Sequence, residues 1–358
     1  MDSLRRFRSP ACIISFGLLL AACGSSSSST TTTVPSTTTF RVDVAAVKGV
    51  NPGATGVAQP APGHLSNVAI SYISFSSNPF FVPIQVGVSA AGALLKSRGV
   101  TVNYVDAGSG ITIPEVVSAI EGSVADGSKA IGVIPLAAGA CPAIAAAVKA
   151  GVAVATAVSE GACSEASGSL FYVGANDLQQ GVMGAQAMAQ AIQCTGQVGI
   201  ITDTATNTGV HQRTVGFVNE MQKICPKVDI VGTVYNTDST SAAYTQAENY
   251  MTAYPNLRGI FQASGGDAGA GSAIKAAGKS GQVAMIGYDF VPENVTLLRE
   301  GAITALIGQD PFQEGYNTVV DLFNYLLTKK VPKPYHQYVT IQVMTHSNIA
   351  SVMKTQQG

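Results

Sequence analysis

From Val68 to Thr345 the chain repeats one pattern: a short apolar run, a turn, then a longer stretch with apolar residues at helical spacing. The first run, Val68–Ile73, is followed by candidate strands at Thr101–Ala107, Ala130–Leu136, Val152–Val158 and Leu170–Ala175. Between them Ile113–Asp126 and Cys141–Ala150 read as helices, and Asp177–Gln193 follows as another. A second series places strands at Val198–Asp203, Asp229–Tyr235, Gly259–Ser264, Val283–Asp289 and Ile303–Gln309. Its helices are Thr208–Ile224, Ser239–Ala253, Asp267–Ala277, Pro292–Glu300 and Pro311–Leu327, with Tyr338–Thr345 as a last strand. Alternation of this kind demands parallel sheets covered by helices on both faces. The strands are too many for one compact unit, so the spacing predicts an α/β chain of two similar lobes.

The opening turn, Ser74-Phe75-Ser76-Ser77-Asn78-Pro79-Phe80-Phe81, joins the first strand to an amphipathic helix with Phe80, Ile84, Val88, Ala91 and Leu95 on one face. Pro79 suits the first helical turn, where its missing N–H costs nothing, and Asn78 stands where a cap belongs. Open parallel sheets bind ligands beyond the carboxyl ends of their strands. Hydroxyls such as that of Ser74, the Asn78 amide and the rings of Phe80 and Phe81 suit a neutral, polyhydroxylated molecule there.

Residues 1–23 read as an export signal: Arg5, Arg6 and Arg8 precede the apolar core Ala11–Leu20, and Leu20-Ala21-Ala22-Cys23 forms a lipobox. That pattern predicts a lipid on Cys23 and a place on the outer face of the cell membrane. The apolar core is shorter than the roughly 20 residues a membrane-spanning helix needs. Residues 24–64, almost wholly Ser and Thr to Thr39 and then Gly/Pro/Ala-rich, are expected to form a flexible tether, with order beginning near Leu65. Residues 347–358 read as a polar tail.

With 11% charged residues and a formal net charge of −1, the chain lacks the basic face that nucleic acid requires. Four cysteines remain beyond the signal, and an even count outside the cytoplasm suggests disulfides. Pairing within each lobe, Cys141 with Cys163 and Cys194 with Cys225, is expected over four free thiols. Catalysis is not expected: Gly269-Ala270-Gly271 has Ile274 where a dinucleotide loop needs its third glycine, and no Gly-x-Ser-x-Gly elbow is present. His64, His211, His336 and His346 are scattered without metal-ligand spacing, so neither metal nor cofactor is expected.

The turn Ser74–Phe81 resembles the opening turn of the ribose/galactose-type periplasmic binding proteins of ABC importers. Gln212-Arg213-Thr214-Val215-Gly216-Phe217 is similar to the arginine-bearing start of that family's second lobe. Met285-Ile286-Gly287-Tyr288-Asp289 resembles the strand ending in its ligand-binding aspartate, and the segment Ile307–Tyr316 resembles its glutamine-bearing crossover. The resemblance implies the type I periplasmic binding protein architecture, two Rossmann-like lobes joined by a three-stranded hinge with crossings near Ala175, Gln309 and Tyr338. Residues 65–175 plus 310–337 would form the first lobe, and 176–309 plus 338–346 the second. It implies a ligand site drawn from Ser74, Asn78, Phe80, Phe81, Ser159, Arg213, Ser264, Asp267, Asp289 and Gln309. Arg213 would donate a fork of hydrogen bonds, Asp289 would accept, Gln309 would do both, and Phe80 and Phe81 would face the C–H side of a ring. The bland alternatives are core packing for Phe80, a surface ion pair for Arg213 and a helix cap for Gln309. The sequence departs from the family at Val158, where an aspartate is usual, and at Ala263–Asp267, where an asparagine is; Ser264 or Asp267 would substitute. The function implied is a lipid-anchored, monomeric solute-binding protein that captures a sugar or polyol for an ABC permease. The alternatives are a sensing lipoprotein serving a membrane receptor and, on fold alone, a lactose-repressor-type regulator, which would carry a DNA-binding headpiece where this chain has an export signal.

Overall fold

The computed structural model describes residues 40–48 and 55–355. The export signal, the lipobox Cys23 and the Ser/Thr tract to Thr39 lie outside the described residues.

The first lobe opens with β1 (Val68–Ser74), α1 (Phe81–Lys96), β2 (Val100–Asp106), α2 (Ile113–Ala125), β3 (Ala130–Val133), α3 (Cys141–Lys149), β4 (Ala153–Ala157) and β5 (Tyr172–Gly174). The chain then crosses into α4 (Asp177–Ile192), β6 (Gln197–Thr202), α5 (Thr208–Ile224), β7 (Asp229–Tyr235), α6 (Thr240–Ala253), β8 (Leu257–Gln262), α7 (Asp267–Ala276), β9 (Ala284–Tyr288), α8 (Pro292–Arg299) and β10 (Ala305–Gly308). It returns through α9 (Pro311–Thr328) to β11 (His336–Tyr338), and ends with β12 (Gln342–Thr345) and α10 (Ile349–Thr355). The two sheets run β2-β1-β3-β4-β5-β11 and β7-β6-β8-β9-β10-β12. All neighbours pair in parallel except β12, which runs antiparallel to β10. Each sheet therefore reverses its strand order once, between β1 and β3 in the first and between β6 and β8 in the second, and at such points the loops splay apart and leave a crevice.

Apolar spacing explains the packing. α1 buries Phe81, Ile84, Val88, Ala91 and Leu95 against the first sheet, and the strands β1, β3 and β4 are buried along nearly their whole length, as strands covered on both faces must be. In the second lobe two separate apolar clusters cover opposite faces of the sheet. Close helix contacts rest on glycines: a Cβ at Gly181 of α4 would fall on the carbonyl oxygen of Arg213 in α5. Gly269, part of the Gly-Ala-Gly run, meets the carbonyl of Thr240 in the same way, so it serves the packing of α7 on α6.

The structure differs from the sequence reading in three places outside the site. The single strand expected at Tyr338–Thr345 is two strands, β11 in the first sheet and β12 in the second, with the third crossing between them. The segment expected to be a polar tail carries α10, whose Ile349 and Val352 are buried in the second lobe's core. Within the expected tether, the described residues 40–48 and 55–64 are fixed to the lobes well before Leu65. Asp43 and Lys48 donate their backbone N–H groups to Gln190 and Gln186 of α4 at 2.7 and 2.8 Å. Farther on, Ala58 and Ala61 bond Asn317 and Asn324 of α9 at 2.9 and 2.7 Å. Amide side chains reading backbone groups hold a strap to each lobe, a device that Gly/Pro/Ala-rich composition does not announce. Disulfides join Cys141 to Cys163, with Cα atoms 6.1 Å apart, and Cys194 to Cys225, 5.0 Å apart, each within one lobe.

Candidate ligand-binding cleft

The carboxyl ends of both sheets open on one cleft of about 710 Å³. The first lobe supplies the turn 77–81, the loop 109–113, Leu136–Ala137 and Val158–Ser159, and the second lobe supplies the ends of β6, β7, β8 and β9 with Arg213 of α5. Gln309 enters from the second crossing. The lobes come close across it: a Cβ at Gly265 would lie 3.6 Å from the Asn78 amide, and one at Gly209 would lie 3.2 Å from the Ser159 hydroxyl.

Backbone conformation marks the cleft as well. Ile111, Leu136, Val158, Thr237, Asp238 and Asp289 all adopt left-handed φ of 49 to 64° and all line it. For an L-residue each costs about 1–2 kcal/mol, most for β-branched Ile111, Val158 and Thr237. Each ends or follows a strand, where the left-handed step turns the chain sharply and aims the loop inward. At Val158 the conformation is held from outside. The Tyr172 hydroxyl lies 3.1 Å from the carbonyls of both Val158 and Ala175, tying the end of β4 to the first crossing. The residue that stands where an aspartate was expected thus uses its backbone as the acceptor.

The sequence-predicted residues converge, with differences. Ser74 does not line the cleft; it is fully buried at the end of β1, beneath the turn. Asn78 lines it, and its Oδ1 accepts the Phe80 N–H at 2.9 Å, so it closes a turn ahead of the helix instead of capping it. Phe80 stands at the N-cap of α1, half-buried, while Phe81 is the core residue, packed on Phe75 at 5.3 Å. Both rings reach the cleft wall. Ser159 lines it with a buried hydroxyl that has no partner among the described residues.

Arg213 forms a buried ion pair with Asp177, Nε to Oδ1 at 2.9 Å, and lies over the Tyr288 ring at 4.4 Å. Burial acts to lower its pKa, but the charge of Asp177, aided by Tyr288 and Asp289, outweighs this and holds the guanidinium charged. Ser264 bonds Asn236 at 3.2 Å and Asp267 accepts the Tyr288 N–H at 2.8 Å, so both brace the second lobe's loops while touching the cleft. Asp289 follows β9, its turn pinned by Asn294, whose amide donates to the carbonyls of Tyr288 and Asp289. Burial pushes the Asp289 carboxyl up to about 6. Gln309 does not cap α9; Asp310 does, accepting the Gln313 N–H at 3.0 Å, and the Gln309 side-chain carbonyl is left buried with no partner among the described residues.

Sequence reasoning missed four carboxylates of the cleft: Asp177, Asp203, Asp238 and Glu293. Asp203 accepts from the Asn207 amide at 2.9 Å, and Asp238 accepts the Gly265 N–H at 2.9 Å. Burial, with the Asp203 charge beside it, raises Asp238 to about 6. The rule that singled out Asp289, a carboxylate at a strand's carboxyl end, finds Asp203 as well.

The family described as a periplasmic binding protein domain matches residues 68–330. A xylose/arabinose-binding protein of Sulfolobus acidocaldarius is 24% identical over 332 residues, which cover 86% of this chain and 79% of that one. A D-ribose/D-allose-binding protein of Pseudomonas aeruginosa is 28% identical over 139 residues, 38% of this chain and 43% of that protein. Among solved structures, an ABC transporter solute-binding protein of Burkholderia graminis in complex with D-arabinose superposes with a TM-score of 0.74 at 23% identity, over 80% of this chain and 98% of that one. One from Agrobacterium vitis bound to α-D-tagatopyranose gives 0.73 at 22% identity, over 80% and 98%. These likenesses show the same two-lobed fold. With the family match spanning most of the chain and one cleft between two α/β lobes of the same strand order, the chain belongs to the periplasmic binding proteins of type I, a family of binding proteins and not of enzymes.

Proposed function

We propose that this protein captures a sugar or a closely related polyhydroxylated molecule between its lobes and hands it to an ABC importer, held at the outer face of the membrane by a lipid on Cys23. The observation that carries the reading is the make-up of the cleft: carboxylates and one guanidinium from the second lobe face a half-buried aromatic ring, an amide and a hydroxyl from the first. Hydroxyls of a sugar donate to carboxylates, and its C–H face lies on an aromatic ring. The relatives that bind xylose, arabinose, ribose and allose support it. Contacts from both lobes exist together only when the cleft is closed, so ligand shifts the open–closed equilibrium toward the closed form. A thermal-shift screen over pentoses, hexoses, polyols and inositols tests the claim. A ligand present at 100 times its Kd should add about 2.7 kcal/mol of stability, and a flat response across the whole screen refutes the reading. For the anchor, Cys23→Ser should move the protein from the membrane fraction to the soluble one; a variant that stays with the membrane refutes lipidation.

A further inference from the structure

The cleft is unbalanced in charge and in hydrogen-bonding sense. Asp177, Asp203, Asp238, Asp267, Asp289 and Glu293 line it against a single cation, Arg213. That cation is already paired with Asp177, and Asp267 is tied to the Tyr288 N–H. Asp203 and Asp238 each accept from a neutral donor, the Asn207 amide and the Gly265 N–H, so neither has a cationic partner. The Asp289 carboxylate accepts no hydrogen bond from the described residues. A second observation is independent of the carboxylates. Gln309 is 4% exposed, lines the cleft, and has its side-chain carbonyl oxygen without a partner among the described residues.

These groups stand together. Tyr288 and Ile307 are paired in adjacent parallel strands, and the Asp289 N–H bonds the Ile307 carbonyl at 3.0 Å, which sets Asp289 and Gln309 at neighbouring strand ends. The Asp238 charge acts on Asp289, and that of Asp203 on Asp238. The result is a run of acceptors with few donors. A neutral hydroxyl offers one hydrogen and seeks one back, while an ammonium offers three and seeks none. The Arg213 charge reaches Asp289 and Asp238 as well, but it is one cation already paired with Asp177, so closing the lobes over a neutral ligand would bury more ionised carboxylates than it can offset, and that is costly. An ammonium on the ligand removes this cost.

We infer, resting on the sugar-binding reading above, that the ligand is a polyhydroxylated ring bearing a protonated amine, an amino sugar or aminocyclitol, with the ammonium held by Asp289, Asp238 and the Gln309 carbonyl. The test is titration calorimetry near neutral pH with matched probes: D-glucosamine, D-galactosamine and D-mannosamine, their neutral parent hexoses, and their N-acetyl derivatives, whose nitrogen carries no charge. At least one amine should bind roughly ten- to a hundred-fold more tightly than its parent, the range of a charge-assisted hydrogen bond, and N-acetylation should remove the gain. Asp289→Asn and Asp238→Asn should each reduce the amine's advantage over its parent; asparagine tolerates the left-handed backbone at both positions. Parents that bind as tightly as, or more tightly than, all three amines overturn the inference and leave the sugar reading standing. Failure of all three amines to bind also overturns the inference, while the sugar reading stands or falls by the wider screen of pentoses, hexoses, polyols and inositols.

Discussion

The Asp177–Arg213 pair links the first residue of α4 to the middle of α5 beneath the cleft, with side-chain exposures of 10% and 9%. Screening by water is small at that burial, so the cost of breaking the pair is that of a buried charge left alone, about 3–5 kcal/mol. The two partners are not equivalent. In Asp177→Asn the guanidinium keeps a neutral acceptor at Oδ1, the Ala263 carbonyl at 3.4 Å, the Tyr288 ring and the Asp289 charge, but it loses its paired carboxylate and cannot shed its proton. In Arg213→Met the stranded carboxylate can take a proton, and burial already pushes its pKa up. Asp177→Asn should therefore cost the full 3–5 kcal/mol, and Arg213→Met less, about 1–3 kcal/mol, with a penalty that grows as pH rises. The double variant replaces the pair with neutral groups of similar shape and should recover at least about 2 kcal/mol of the summed single costs. Asp177 also sits at a helix N-terminus, where a negative charge adds about 0.3–1 kcal/mol; this contribution is common to both Asp177→Asn arms and cancels in the cycle. The chain contains no tryptophan, so urea unfolding of the unliganded protein is best followed by far-ultraviolet circular dichroism. Additive single costs, or an Asp177→Asn variant as stable as the parent, would refute the argument that this pair is ionised and mutually dependent.

Three further outcomes are expected. Asp238, Asp289 and Asp321 are raised by burial to about 6 from an unfolded value near 4, and His336 is raised by its bond to Glu160. Groups so raised contribute stability at low pH that is lost as pH climbs through their folded values, so the unliganded protein should melt higher at pH ~5 than at pH ~8; a flat or opposite profile at constant ionic strength contradicts this. Asn317, 1% exposed, bonds the backbone of Gly56 and Ala58 through both ends of its amide, and Asn317→Ala should cost about 1–3 kcal/mol and raise amide exchange in residues 55–61; unchanged exchange there would mean the strap is held by other contacts. Each disulfide closes a loop of a few tens of residues and should contribute about 2–4 kcal/mol, so reduction should lower Tm, and alkylation of four thiols without denaturant would disprove the bridges.

What could be read from sequence follows from how locally each feature is encoded. Strand and helix reveal themselves over five to fifteen residues, and the ranges predicted for α5 and β7 coincide with those observed. Contacts made by partners far apart in sequence were invisible. Arg213 was weighed as a surface ion pair, and its partner lies 36 residues away on another helix. Asp238 was missed because Asn236-Thr237-Asp238-Ser239 carries ordinary turn chemistry: Asn236 accepts the Asp238 N–H and Ser239 caps α6. At Val158 the side chain shows only a lost acceptor, since side-chain identity says nothing of a carbonyl that receives the Tyr172 hydroxyl.

The division of labour between the lobes bears on how such a cleft works. All six carboxylates and the guanidinium come from the second lobe, while the first presents Phe80, the Asn78 amide, the Ser159 hydroxyl and apolar strand ends. Charge acts over several ångströms and would draw in a ligand that carries an ammonium before contact is made. Aromatic and neutral hydrogen-bonding contacts act only at touching distance, so on the capture reading they form as the first lobe closes. Moving a two-state equilibrium from 1:99 to 99:1 requires about 5.5 kcal/mol of preference for the closed state. Hydrogen bonds from Asn78 and Ser159 at about 1 kcal/mol each, with the remaining face of the half-buried Phe80 ring worth about half the roughly 1.5–3 kcal/mol of a whole side chain, supply half or more of that figure from the first lobe alone. The second lobe then sets which ligand is held, and the first sets whether holding it closes the protein; exchanging Phe80 for alanine should weaken closure more than it alters ligand preference.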